Sequence, residues 1–254
     1  MLLFIILFLL FSWLPFHFQF ATGRNKCLQV NFSNPAETLF DWVEAGCPLS
    51  TLWDSRPHIG TDQLQFIVTR LRELVEEAGG KFRFHEKFEE MRLSSERKLE
   101  AIQVDGKWES CETLLLAIGH SSRSLYHMLH NHEVDMEAKG FAVGFRIEHP
   151  QELINRCQIG DDQLLEHTGT AEYSLHAPEW QGTPGAYSFC MCPGGVLIPC
   201  ASEQGELATN GMSYSRRNSP FANSGVVVPL EFEGRESPLQ GMNFQRDIER
   251  KAYD

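Results

Sequence analysis

Residues 61–119 contain the sequence pattern that most restricts the possible fold of this 254-residue chain. Thr61-Asp62 can cap a helix, in which apolar residues recur at three- and four-residue intervals as far as Val75. Gly79-Gly80 then supplies the left-handed residue that commonly ends a helix. Strand-like segments follow, and a short apolar run stops at Gly119. This order of a helix, a small meander and a buried strand predicts a mixed α/β fold.

Several short segments between residues 82 and 118 have the composition of strands. Phe82, Phe84 and Phe88 are separated by charged residues, which is typical of a half-buried strand. Two further strands flank the turn sequence Asp105-Gly106. A continuous apolar run is typical of a strand covered on both faces, and Ser121-Ser122 can cap the helix after it. The predicted strands are residues 82–88, Leu99–Val104, Lys107–Ser110 and Leu114–Ile118.

The second half of the chain predicts an antiparallel sheet with long loops, because short apolar segments are separated by Gly and Asn turns. His149-Pro150 is expected to end the first of these strands. Residues 157–186 are polar and contain Gly and Pro, which predicts a surface excursion, and a helix pattern begins at Phe244. The predicted strands are Phe141–Ile147, Tyr187–Cys192, Val196–Pro199 and Val226–Pro229.

The first 23 residues carry no charged side chain, and Met1–Phe11 is apolar throughout. Such a run is long enough for a marginal membrane span or for the core of a secretory signal. Three interpretations are open: a signal, a membrane anchor through residues 1–20, or a mis-started reading frame. The chain is predicted to be membrane-bound or secreted if this leader is genuine, and otherwise soluble inside the cell or in a plastid. The character of the sequence changes near residue 126. The chain after the leader is therefore predicted to form two domains, residues 24–126 and 127–254.

Charge and cysteine content exclude two classes of protein. The formal net charge of −12 repels phosphate backbones, which argues against nucleic-acid binding. Seven scattered cysteines do not form a disulfide framework, so reduced thiols are expected. Cys190 and Cys192 are expected to point to opposite faces of a strand, where they serve packing or place one thiol near a substrate pocket. No metal site is predicted, because the histidines at 127, 130 and 132 lack a partner at ligand spacing.

Residues 61–125 resemble the central part of glutathione-reductase-like flavoproteins, which contain two dinucleotide-binding domains. Six longer strings resemble more closely the uncharacterised FAD-dependent dehydrogenase family of bacteria and plants, over roughly residues 24–254. These strings are Arg56–Asp62, Leu116–Arg123, Met136–Lys139, Arg146–Ile154, Cys190–Gly195 and Thr209–Ser215. The resemblance implies that residues 24–126 form a partial FAD-binding domain and that residues 127–254 form an antiparallel substrate domain.

The resemblance also implies roles for particular residues. Ala117, Ile118 and Gly119 would line the FAD nucleotide, because a glycine bend lets the main chain approach a cofactor closely. Ile118 stands where the family pattern has threonine, so a hydroxyl contact is lost there. The candidates on the side of an unidentified small-molecule substrate are Arg216, Asn210 and Cys192.

The sequence departs from the family at the phosphate-binding segment. No two glycines are separated by a single residue, so the Gly-x-Gly-x-x-Gly fingerprint that holds a dinucleotide pyrophosphate is missing. The family also continues beyond the helix that begins near Phe244. The chain is therefore expected to be an internal fragment of an FAD-dependent oxidoreductase that binds FAD poorly by itself. The alternative, which the uncharged leader favours, is a non-catalytic binding module that is tethered to a membrane or secreted.

Overall fold

A computed structural model describes residues 18–22, 26–30, 35–54, 57–160, 162–232 and 237–254. The α-helices of this part of the chain are α1 (Pro35–Glu44), α2 (Thr61–Glu77), α3 (Arg123–Asn131), α4 (Gln151–Gln158), α5 (Asp162–Thr168) and α6 (Gln240–Tyr253). The strands are β1 (Phe18–Thr22), β2 (Lys26–Val30), β3 (Phe88–Leu93), β4 (Leu99–Val104), β5 (Lys107–Ser110), β6 (Phe141–Pro150), β7 (His176–Ala177), β8 (Ala186–Cys192), β9 (Gly195–Cys200), β10 (Ala208–Ser213) and β11 (Phe221–Leu230). The mixed α/β fold class is confirmed.

Most of the uncharged leader, residues 1–17, lies outside the described residues. Its interpretations as a signal, an anchor or a mis-started frame therefore stay predictions. The backbones of β1 and β2 pair as an antiparallel hairpin, with Phe18 opposite Val30. None of the helices in the described ranges is both long enough and apolar enough to cross a membrane.

The chain divides into two compact units. Unit 1 comprises the described residues of Met1–Trp53 and Ile67–Asp135. Unit 2 comprises those of Asp54–Phe66 and Met136–Asp254. The first division thus falls inside α2.

Unit 1 is built around the antiparallel meander β3-β4-β5. The central strand β4 buries Ala101, Ile102 and Val104, which form much of the apolar core of this unit. Asp105 and Gly106 connect β4 to β5, and both have a left-handed backbone, with φ of 45° and 74°. Positive φ at both central residues is the requirement of a tight hairpin turn, so the predicted meander and its turn are confirmed.

Two strand predictions in unit 1 are wrong. The alternating phenylalanines do not form a strand before Phe88, because β3 begins there and His85 in the preceding turn is left-handed, with φ of 60°. Phe82 and Phe84 instead stack on each other, with ring centroids 6.1 Å apart. The apolar run Leu114–Ile118 is half-buried and belongs to no described strand. An apolar sequence becomes a strand only where a neighbouring backbone completes its hydrogen bonds.

Unit 2 contains a four-stranded antiparallel sheet in the order β6-β11-β8-β7 and a hairpin of β9 with β10. This confirms the predicted antiparallel sheet. α6 packs through a cluster of three rings, with Phe141 and Phe244 each near Phe232 at centroid distances of 5.4 and 6.0 Å. Gly241 lies beside this cluster, where an added Cβ would be 3.2 Å from the Phe232 ring.

Two predictions for unit 2 need correction. β6 continues through His149 to Pro150, because its backbone stays paired with β11 as far as Phe221. Asn210 lies on β10, opposite Ile198 of β9, in a segment for which the sequence predicted no strand. In both cases pairing with a neighbouring strand outweighs the local sequence preference. The excursion at residues 157–186 contains α5 and β7, and most of its described side chains are exposed or half-buried.

Candidate functional site

The bend at residues 117–119 lies in unit 1, shortly before α3. Gly119 is exposed and left-handed, with φ of 63°, and a Cβ built on it would meet no atom within 4 Å. The Tyr126 hydroxyl donates a hydrogen bond to the Gly119 carbonyl, and the Ser122 hydroxyl donates one to the Ile118 carbonyl, both at 2.8 Å. The bend is therefore held by the start of α3, while its glycine Cα faces open space.

This geometry meets one requirement of an FAD contact, which is a stretch of main chain that a flat cofactor can approach. Two other requirements are not met by these residues. The Ile118 side chain offers no hydroxyl, and the sequence has no Gly-x-Gly-x-x-Gly segment to hold a pyrophosphate. The residues thus fit a contact with FAD but do not form a complete FAD site.

Two of the strings that carry the family resemblance are in direct contact in unit 2. The Asp62 carboxylate accepts hydrogen bonds from the amide and the hydroxyl of Ser215, both at 2.7 Å. These bonds lower the pKa of Asp62 to about 2. The Thr61 hydroxyl donates to the Ser213 carbonyl at 3.2 Å. Gly60 is required here, because its φ is 96° and a Cβ would lie 2.2 Å from the Ser215 nitrogen.

Two more strings meet at the turn between β8 and β9. The Gly194 amide donates to the Gln151 side-chain oxygen at 2.7 Å in a buried position, and the Ser213 hydroxyl donates to the Pro193 carbonyl at 2.9 Å. Gly194 has φ of 51°, and a Cβ on it would lie 1.8 Å from the Arg217 carbonyl oxygen. This turn therefore requires glycine for both conformation and space.

An open groove of about 500 Å³ lies in unit 2 beside these contacts, and it is lined by residues 150–152, Asn155, Thr170 and residues 217–221. Its lining is anchored through Arg217, whose carbonyl accepts a hydrogen bond from Thr170 and whose guanidinium lies 3.7 Å from the Glu172 carboxylate. Most of the residues that line the groove have polar side chains, and one of them, Arg217, is cationic.

A second cluster in unit 2, here called the Arg146 cluster, consists of Arg146, Cys190, Cys192, Gly211 and Asn223. The Arg146 guanidinium donates to the Asn223 side-chain oxygen at 2.6 Å and to the Cys190 carbonyl at 3.1 Å. The same Nη1 lies 3.9 Å from the Cys192 Sγ. Asn223 is fully buried, and its Nδ2 has no hydrogen-bond partner among the described residues.

The expectation that Cys190 and Cys192 point to opposite faces is wrong, because residues two positions apart share one face of a regular strand. Cys190 has a left-handed backbone, with φ of 49°, and the pairing of β11 with β8 shifts register between Asn223 and Gly225. The Cys192 thiol donates a hydrogen bond to the Cys190 carbonyl at 3.4 Å. The neighbouring Cys192 and the Arg146 charge, opposed by burial, lower the pKa of Cys190 to about 6. The neighbouring Cys190 and burial raise the pKa of Cys192.

The three predicted substrate-side residues lie in different surroundings. Cys192 belongs to the Arg146 cluster, in which it is 7% exposed. Asn210 is adjacent to Gly211 of that cluster, and its side-chain oxygen accepts a hydrogen bond from the Gly211 amide at 2.8 Å. Arg216 lies exposed in the turn after β10 and is not a member of the cluster.

Sequence reasoning did not select Arg146 or Asn223, which hold the cluster together. The available signal for Arg146 was a charged residue between Phe145 and Ile147, in the middle of a predicted strand. No comparable signal marks Asn223, because its role depends on the register shift in β11.

Comparisons with known proteins bear on both halves of the chain. Residues 140–254, all within unit 2, match a family model described as "FAD-dependent protein, C-terminal domain-like". An uncharacterized protein of Clostridium beijerinckii is 46% identical to this chain over 218 residues, which are 85% of this chain. The chain spans 40% of the length of that relative. The alternative of a non-catalytic binding module receives no support, and these findings support a relationship of the chain to a family of FAD-dependent proteins.

Proposed function

We propose that this chain is part of an FAD-dependent oxidoreductase in which unit 1 contacts the flavin nucleotide and unit 2 carries the substrate-side residues. The observation that carries the proposal is the match of residues 140–254 to the C-terminal domain of FAD-dependent proteins. The bend in unit 1 supports it, because Gly119 is exposed and has open space beside its Cα.

FAD, when bound, supplies two-electron chemistry for the oxidation or reduction of a small molecule. The residues of this chain would bind and orient the reactants. Ala117, Ile118 and Gly119 would present main chain to the nucleotide. The substrate side would include Cys192 and Asn210, and we extend it to Arg146, whose guanidinium forms hydrogen bonds beside Cys192.

A pair of matched glycine variants tests the role of the bend. Gly119→Val adds a branched side chain at the proposed flavin contact, whereas Gly106→Val adds it at another left-handed glycine of unit 1 with open space around it. We expect the full chain to bind FAD weakly in equilibrium dialysis. Gly119→Val should weaken binding by at least about tenfold, which corresponds to about 1.4 kcal/mol.

Gly106→Val should retain the affinity of the wild type, because the β4–β5 turn lies outside the proposed contact. Circular dichroism of both variants shows whether the two substitutions have equal effects on folding. Equal FAD binding by the wild type and Gly119→Val would contradict the assignment of the bend.

A further inference from the structure

The open groove of unit 2 is distinct from the Arg146 cluster, because no member of that cluster lines it. Its volume of about 500 Å³ lies within the range of small-molecule binding sites. Arg217 supplies the one cationic side chain among its lining residues. The groove therefore offers a place for a ligand that is separate from the substrate-side residues named above.

Backbone hydrogen bonds on two sides fix the wall of the groove that carries Arg217. The Ser219 amide donates to the Gly194 carbonyl at 3.1 Å, in the turn between β8 and β9. The Gln151 amide, at the start of α4, donates to the Pro220 carbonyl at 2.8 Å. The segment that follows Arg217 is thus attached to both a strand turn and a helix, which limits the movement of this wall.

A buried glutamine fixes the orientation of Asn155 on another wall. Gln151 is 5% exposed, and its Nε2 donates to the Asn155 Oδ1 and to the Ala171 carbonyl, both at 2.9 Å. The Ala171 amide also donates to the Asn155 Oδ1, at 3.1 Å. Because two donors occupy its oxygen, the Asn155 amide has its Nδ2 hydrogens left to offer to a ligand in the groove.

The Arg217 guanidinium is incompletely paired. Its Nη1 lies 3.7 Å from the Glu172 carboxylate, which is beyond hydrogen-bond distance, and the Glu172 side chain is half exposed. Its Nε is buried and has no hydrogen-bond partner among the described residues. A guanidinium with unpaired donors favours a planar anion that can accept two parallel hydrogen bonds, and a carboxylate has this geometry.

The surroundings of the guanidinium restrict the charge and shape of such an anion. Glu152 lines the groove and Glu172 lies beside it, so a second negative charge on a ligand would meet repulsion without a second cation to offset it. A monoanion is therefore favoured over a phosphate monoester. Pro150, Pro220 and Phe221 also line the groove, and the Phe221 side chain is 45% exposed, which favours a ligand with an apolar body.

We propose that this groove binds a small organic monocarboxylate, with Arg217 and Asn155 holding the carboxylate and Phe221 contacting the apolar body. Binding needs no FAD, so the proposal does not rest on the flavin contact proposed for unit 1. Failure of the chain to bind FAD would leave this prediction intact, and failure to bind a carboxylate would leave the flavin contact intact.

Fluorine NMR of the full chain with para-fluorobenzoate as the probe tests the proposal. The probe signal should broaden and saturate at one site per chain, and unlabelled benzoate should reverse the effect. para-Fluorobenzamide keeps the ring and lacks the charge, so it should bind at least about tenfold more weakly. para-Fluorophenyl phosphate carries two negative charges at slightly alkaline pH and should also bind more weakly than the benzoate.

Two variants test the two residues that would hold the carboxylate. Arg217→Gln removes the cation, and Asn155→Asp keeps an oxygen to accept from Gln151 and Ala171 while placing a negative charge in the groove. Each should weaken binding of para-fluorobenzoate at least about tenfold. Circular dichroism of each variant checks that the fold is retained.

Lys139→Gln is the matched control, because it removes an exposed cation shortly before β6, and Pro150 at the other end of that strand lines the groove. Its affinity should stay within about twofold of the wild type. The proposal is overturned if the wild type shows no saturable binding at millimolar probe, if Arg217→Gln binds as tightly as Lys139→Gln, or if the amide or the phosphate binds more tightly than the benzoate.

Discussion

At the residue scale, Gly211 lies where three side chains leave no room for a methyl group. A Cβ there would be 2.1 Å from the Asn223 Oδ1, 2.3 Å from the Arg146 Nη1 and 2.8 Å from the Cys192 Sγ. Gly211→Ala should therefore disrupt the hydrogen bond between Arg146 and Asn223. Overpacking of this kind costs about 1–3 kcal/mol, and we expect a loss of about 2 kcal/mol in the free energy of unfolding, measured by chemical denaturation.

Thr209→Ala is the control for this prediction, because Thr209 is exposed on the same strand, β10. Its effect should stay within about 0.5 kcal/mol. A Gly211→Ala variant as stable as this control would show that the Arg146 cluster can rearrange freely.

Single residues also mark where sequence reasoning reaches its limit. Gly119 was identifiable, because a glycine after an apolar run indicates a bend that main chain or cofactor can approach. The left-handed backbone of Cys190 was not, because cysteine carries no preference for that conformation. The contacts of Arg146 with the Cys190 carbonyl and the Cys192 Sγ depend on the register of β11, which the sequence does not specify locally.

At the element scale, predictions succeeded where local patterns suffice. α2, the β4–β5 hairpin and α6 follow from apolar periodicity and turn residues within each segment. The failures concern strands whose existence depends on a distant partner. Leu114–Ile118 has a strand composition without a described neighbour, whereas β10 has a polar composition and pairs with β9 along its whole length.

The attachment of α6 depends on a buried carboxylate. The Glu206 side chain is fully buried and lies 3.5 Å from the Arg246 guanidinium and 3.7 Å from that of Arg250. Removing one member of a buried ion pair costs about 3–5 kcal/mol, and the lower part of that range applies because both arginines are partly exposed. Glu206→Ala should therefore lower the free energy of unfolding by about 3 kcal/mol.

Denaturant unfolding followed by circular dichroism measures this loss. The control is Glu152→Ala, which removes an exposed ion pair with Arg156 on α4 and should cost less than about 1 kcal/mol. Equal stability losses in the two variants would contradict the role of Glu206 in holding α6.

At the scale of the whole molecule, four of the six strings that carry the family resemblance are spatial neighbours in unit 2. Residues 60–62 contact residues 213–215, and the turn at residues 193–195 contacts Gln151 and Ser213. Segments far apart in sequence are thus parts of one packed arrangement. The resemblance therefore rests on packed segments, which do not depend on the strands that were misplaced.

The FAD content of the longer Clostridium beijerinckii relative is the most direct test of the proposed flavin function. The relative should be purified without added cofactor and then again after incubation with FAD, and its flavin absorbance compared with its protein concentration. We predict about one FAD per polypeptide, and a clear loss when valine replaces the residue aligned with Gly119. A relative that stays colourless after incubation with FAD would contradict the account.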